Sequence, residues 1–119
     1  MTAVVYHAKM ARALERMGGL YRLNDILERI ADGRMQSFVE GSSWAVSQIS
    51  VYPQRRSLDV LICLGDLEDC RVLHDRILAF AAEINVDLVT AVGRRGWLKD
   101  GKARGWKVKT SSYLYHREM

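Results

Sequence analysis

The sequence predicts a single mixed α/β (α+β) domain, and three observations carry that prediction. Leu58 to Leu64 is an almost unbroken apolar run of strand length, as expected for a strand covered on both faces. After Gly65-Asp66 the period changes, and Cys70, Leu73, Ile77, Ala81 and Ile84 fall on one helical face. Val86 to Val92 is apolar and β-branched again. Two strands joined by one crossover helix are expected to lie parallel, with a right-handed connection. A length of 119 residues suits one domain spanning the whole chain.

From the N-terminus, Ala3 to Met17 reads as a helix with Tyr6, Met10, Leu14 and Met17 on one face, ended by Gly18-Gly19. Asn24 is the expected cap of a second helix, Asp25 to Ala31, with Gly33 as its stop signal. Met35 to Val39 and Trp44 to Tyr52 read as strands around a hairpin loop, Glu40-Gly41-Ser42-Ser43. Pro53 to Arg56 makes a second turn, so the first three strands form an antiparallel meander. Asp66 is placed to cap the crossover helix, with Asp69 three residues on, and Asn85 suits the left-handed residue that ends it. Trp97 to Arg104 is a single helical turn or a loop. Trp106 to Arg117 alternates as a half-exposed last strand. The expected order is α-α-β-β-β-α-β-(α)-β.

Composition narrows the function classes. Apolar residues make up 49% of the chain and charged residues 27%, ordinary values for a packed soluble domain. No apolar run approaches the roughly 20 residues that span a bilayer. The N-terminus has no signal-peptide layout, so an intracellularly assembled protein is expected. Cys63 and Cys70 read as two buried thiols rather than a disulfide, and no Cys/His spacing suggests zinc, so no metal is expected. The net charge of +4 and pI near 9.3 permit an anionic partner without demanding one. A small nucleic-acid-binding module is therefore one open reading.

The C-terminal ends of the two parallel strands are where open α/β sheets bind ligands. One end carries Gly65, Asp66 and Leu67; the other carries Gly93-Arg94-Arg95. Arg94 and Arg95 have the chemistry to clamp a phosphate or carboxylate, or to pair with Asp66, Glu68 and Asp69. Trp97, Arg104 and Trp106 are the remaining ligand or interface candidates.

This element order resembles that of the GNAT acyl-CoA N-acyltransferase superfamily, without its first strand and final hairpin strand. The closing segment GRRGWLKDGKARGWKVKTSSYLYHREM looks like the family's end, with Gly105-Trp106 where the family usually has Gly-Phe. The resemblance is closer still to small GNAT-like proteins of tailed bacteriophages and prophages. It implies a mixed GNAT-like sheet, acetyl-CoA or CoA as the cofactor of an active member, and phage virion or assembly proteins as partners. It also implies residence in the host cytoplasm or the virion, with a homo-oligomer as one possible assembly.

The family holds the cofactor pyrophosphate on backbone amides in a Gln/Arg-x-x-Gly-x-Gly/Ala loop. Here that loop is Leu64-Gly65-Asp66-Leu67-Glu68-Asp69, with one glycine and three carboxylates. Carboxylates at a helix N-terminus satisfy its donors and dipole themselves. They also repel a pyrophosphate by about 1 kcal/mol per charge pair. The family's general-acid tyrosine position falls near Gly101, while Tyr113 and Tyr115 lie on the expected last strand; Glu40, the nearest candidate base, lies in the expected hairpin turn. The expectation is a catalytically degenerate GNAT-fold protein with no cofactor, working as a virion, assembly or interaction component. An active acyltransferase, with Gly65, Asp66 and Leu67 at the cofactor, is the alternative.

Overall fold

A computed structural model of the chain describes residues 3–91, 98–107 and 117, with side chains for 7–91, 100–107 and 117. The elements are α1 (Ala3–Arg16), α2 (Leu23–Ala31), β1 (Met35–Glu40), β2 (Ser43–Val51), β3 (Arg56–Leu64), α3 (Leu67–Glu83), β4 (Leu88–Ala91) and α4 (Leu98–Ala103). The sheet order is β1-β2-β3-β4, antiparallel through β3 and parallel between β3 and β4. The meander and the crossover unit stand as the hydrophobic pattern requires. The expected last strand lies outside the described residues except for Trp106, Lys107 and Arg117, none of which is in a strand.

Period-2 alternation, with a change of parity in β3 at Leu61, sends side chains to two different cores. On one face Met35, Trp44, Val46 and Ile62 meet Met10, Ala13 and Leu14 of α1 and Ile26 of α2. On the other, Phe38, Ala45 and Leu58 meet Leu73, Ile77 and Ala81 of α3. Of the helical positions read from the sequence, Met10, Leu14, Leu73, Ile77 and Ala81 are buried in these layers, Met17 and Ile84 pack against them, and the side chain of Tyr6 lies outside those described. Phe38 and Phe80 add an edge-to-face pair with centroids 5.7 Å apart. Trp44 takes its indole into the first core and donates from Nε1 to Ser37 Oγ at 2.8 Å.

Three local expectations are corrected. Helix α2 starts earlier, with Arg22 rather than Asn24 at its N-cap. Its start is held from within, because the Asp25 carboxylate accepts from the Arg22 backbone N–H at 2.8 Å. The first hairpin is tighter than expected: Glu40 pairs with Ser43 across a two-residue turn, so Glu40 belongs to β1 and not to a loop. There it ion-pairs with Arg76 at 3.4 Å, while Arg76 also donates to the Val39 carbonyl at 2.7 Å. Cys63, expected to be buried, is exposed; only Cys70 is buried. Among the described residues, β4 pairs with β3 over Ser57–Val60 and not over the far end of β3, Leu61–Leu64.

That far end is also where β3 is irregular. Val46 pairs with Ile62 and Ser47 with Val60, leaving Leu61 as an extra residue in a bulge. Bulges bend a strand locally, and the described β3–β4 pairs, Ser57 to Val60, lie just before this one. Below it, Asp59 accepts hydrogen bonds from Ser57 at 2.8 Å, from Thr90 at 2.6 Å and from Ser50. Burial pushes the Asp59 carboxyl up, but the three hydroxyl donors outweigh it and leave the pKa below the ordinary value. A carboxylate with a depressed folded pKa stabilises above its unfolded value of about 3.9 and loses that contribution as pH falls through the folded one. Urea unfolding as a function of pH should thus show Asp59→Asn with a flatter acid limb below about pH 4 than the parent chain.

Candidate functional site

The turn between β3 and α3 sits at the carboxyl end of β3, where the parallel pair opens. Gly65 makes the turn with φ +119°, and a Cβ there would lie 2.1 Å from Ser43 Oγ and 2.6 Å from Ser43 Cα. Only glycine fits so close to the neighbouring strand. Asp66 then caps α3, its Oδ1 accepting from the Asp69 N–H at 2.9 Å. The cap read from the sequence is the cap the fold uses, and Asn85 closes the same helix at φ 56°.

A third group completes the turn, and it comes from the β1–β2 hairpin. The Ser42 hydroxyl donates to Asp66 Oδ2 at 2.6 Å, and its oxygen lies 3.1 Å from Asp69 Oδ2. The Ser42 backbone N–H donates to that same Asp69 oxygen at 2.9 Å. Gly41 permits this approach: at φ +52°, a Cβ on it would come within 2.4 Å of Asp69 Oδ2. Hairpin and helix start are thus laced together through two carboxylates. The Asp69 amide, then the Ser42 hydroxyl, hold the Asp66 carboxyl below its usual range, so it is ionised at neutral pH. Among the described residues no basic side chain pairs with Asp66 or Asp69. Arg94, Arg95 and Trp97 lie outside the described residues.

Sequence reasoning missed Ser42. Its signal was a Gly-Ser turn facing an Asp-x-x-Asp helix start, which becomes meaningful only once the two are known to be adjacent. Removing its hydroxyl leaves two carboxylates sharing one donor fewer. Ser42→Ala is expected to cost about 1 kcal/mol in urea unfolding, with the β1–β2 turn amides exchanging faster.

Arg104 and Trp106 are held internally, on the seam between α4 and α3. Trp106 Nε1 donates to His74 Nε2 at 2.8 Å, with the rings 5.9 Å apart. His74 Nδ1 in turn lies 2.9 Å from Asp75 Oδ1, and because the indole can only donate, Nε2 is the accepting nitrogen and Nδ1 the one left to donate. Arg104 reaches Asp100 at 3.3 Å and Asp75 at 3.6 Å, and Arg71 reaches Asp100 at 2.7 Å. These groups tie the short helix to the long one. Gly101, where a general-acid tyrosine was sought, faces Trp106: a Cβ there would meet Trp106 Cβ at 3.7 Å.

The mixed sheet and the β3–α3–β4 crossover give a GNAT-like fold, the fold of acyl-CoA-dependent N-acyltransferases. Solved structures bear this out. A probable acetyltransferase superposes with a TM-score of 0.68 over 97% of this chain and 90% of its own, at 10% identity. A protein from Thermus thermophilus gives 0.64 over 83% and 81%, at 21% identity. A predicted acetyltransferase with acetyl-CoA from Clostridium acetobutylicum gives 0.63 over 80% and 71%, at 14% identity. At such identities the shared property is the fold. No protein-family model and no curated protein matches the sequence.

The fold raises the question of CoA, and the residues at the turn answer it poorly. A pyrophosphate at the α3 N-terminus needs free amides and the positive end of the dipole. Here the Asp69 amide is taken by Asp66, and the Asp66 and Asp69 carboxylates stand at the turn, with Glu68 as a further acidic residue in the first turn of the helix. A pyrophosphate held at Gly65, Asp66 and Leu67 would meet one amide already occupied and two carboxylates beside it.

Proposed function

We propose that this chain is a GNAT-fold protein that has given up acyl-CoA chemistry and acts by binding another protein. The observation that supports this reading most is the Ser42–Asp66–Asp69 closure, which fills the anion seat from within the chain. In the finer form of the proposal it is a structural or assembly component of a phage particle, supported by the likeness of its C-terminal segment to small phage GNAT-like proteins. Among the described residues no helix is long and apolar enough to cross a membrane.

The second reading, an active acyl-CoA transferase, is favoured by the likeness to a fold partner with acetyl-CoA. Thiol release from acetyl-CoA in the presence of mixed amine and peptide acceptors separates the two. The proposal expects release at the uncatalysed rate. Acceptor-dependent turnover overturns it. For the finer form, mass spectrometry of purified particles should detect the chain in stoichiometric amounts, and its absence from them removes that assignment.

A further inference from the structure

Two thiols flank the β3–α3 turn, and the closure described above makes no use of them. Cys63 is the penultimate residue of β3 and Cys70 lies in the first turn of α3. Their sulfurs are 3.4 Å apart, in direct contact, against about 2.05 Å in a disulfide. Their environments differ. Cys63 is exposed as a residue, while Cys70 is 5% exposed and sits 3.5 Å from Ser43 Oγ and 3.7 Å from the Leu64 carbonyl. Cys63 is therefore the solvent-facing residue of the pair, with Cys70 buried behind it.

We propose that Cys63 and Cys70 are a reversible thiol-oxidation site, in which Cys63 is oxidised by peroxide and Cys70 resolves it into an intramolecular disulfide. In the first step the Cys63 thiolate forms an S–O bond as the peroxide O–O bond breaks. The departing hydroxide takes up the thiol's proton and leaves as water. In the second step the Cys70 sulfur attacks the Cys63 sulfenic sulfur; the S–S bond forms, the S–O bond breaks, and the Cys70 proton leaves with the hydroxyl as a second water. Two thiols and one hydrogen peroxide become one disulfide and two waters.

The bond would close a ring over residues 63–70, which contains Gly65, the Asp66 cap and the first turn of α3. It would staple the filled seat shut and slow amide exchange at residues 67–69. Although Cys63 is exposed as a residue, its sulfur faces Cys70. Desolvation there, then the Cys70 thiol itself, push the Cys63 thiol up to about 12. Few thiolates exist at neutral pH as a result, and the site responds to sustained rather than brief oxidant.

The test is intact-mass and peptide-mass analysis of the full chain after incubation with hydrogen peroxide. The expected product has lost two hydrogens, carries a 63–70 cross-link on peptide mapping, and returns to the starting mass with dithiothreitol. Cys70→Ala should instead accumulate sulfenic and then sulfinic acid on Cys63, and Cys63→Ser should show no mass loss. Mapping of the parent chain decides the question even if a variant fails to fold. Oxygen addition on Cys63 of the parent chain without a cross-link overturns the proposal. Intermolecular disulfides alone overturn it, as does a native chain that stays inert while its urea-unfolded form reacts. None of these outcomes bears on whether the chain binds acyl-CoA.

Discussion

Gly65→Ala is expected to lower stability by about 3 kcal/mol or more, or to prevent folding, which would make it among the most damaging single changes in the chain. The added Cβ meets Ser43 Cα at 2.6 Å as well as Ser43 Oγ at 2.1 Å. A rotating hydroxyl can relieve the second contact; the first is with a backbone carbon in β2 and cannot be rotated away. Alanine must also hold φ at +119°, outside the regions an L-residue favours. Relief requires β2 and the β3–α3 turn to part. That movement would break the approach of Ser42 to Asp66 and Asp69 as well. Urea unfolding of the two chains reads the difference directly. A loss under about 1 kcal/mol would mean that the turn and the strand are not in contact.

Leu73→Ala is expected to cost about 3 kcal/mol, within the range of buried leucine truncations. Leu73 is fully buried and stands in the middle of the α3 face, packed with Phe38, Ala45 and Leu58 from three adjacent strands. A cavity there lies between a helix and a hydrogen-bonded sheet, neither of which can easily collapse into it. The urea midpoint should fall with the m-value unchanged, since the same surface is exposed on unfolding. A truncation at the exposed Val72, one residue earlier, should change stability by only a few tenths of a kcal/mol.

The parts of the fold written in short-range pattern were legible. The switch from the Leu58–Leu64 run to a helical period marked β3 and α3, and Cys70, Leu73, Ile77 and Ala81 are the buried residues of that helix. Asp66 and Asn85 marked its two ends because caps are local chemistry. What escaped depends on separation in the chain. Ser42 meets Asp66 across 24 positions, and no window of sequence shows that meeting. Asn24 resembled a cap, but Asp25 reaching back to Arg22 lets the helix begin earlier. Cys63 belongs to an apolar run that reads as buried on both faces, yet among the described residues it is exposed. The candidate site was located by the Gly65-Asp66 break and its charge balance; its closure was visible only in three dimensions.

The central claim is that the chain's own carboxylates occupy the place where this fold otherwise seats a pyrophosphate. Isothermal titration calorimetry with CoA and acetyl-CoA at low salt tests it most directly. The parent chain is predicted to give no binding heat up to millimolar ligand, and Asp66→Ser combined with Asp69→Asn to gain measurable affinity. Micromolar binding by the parent chain would contradict the account.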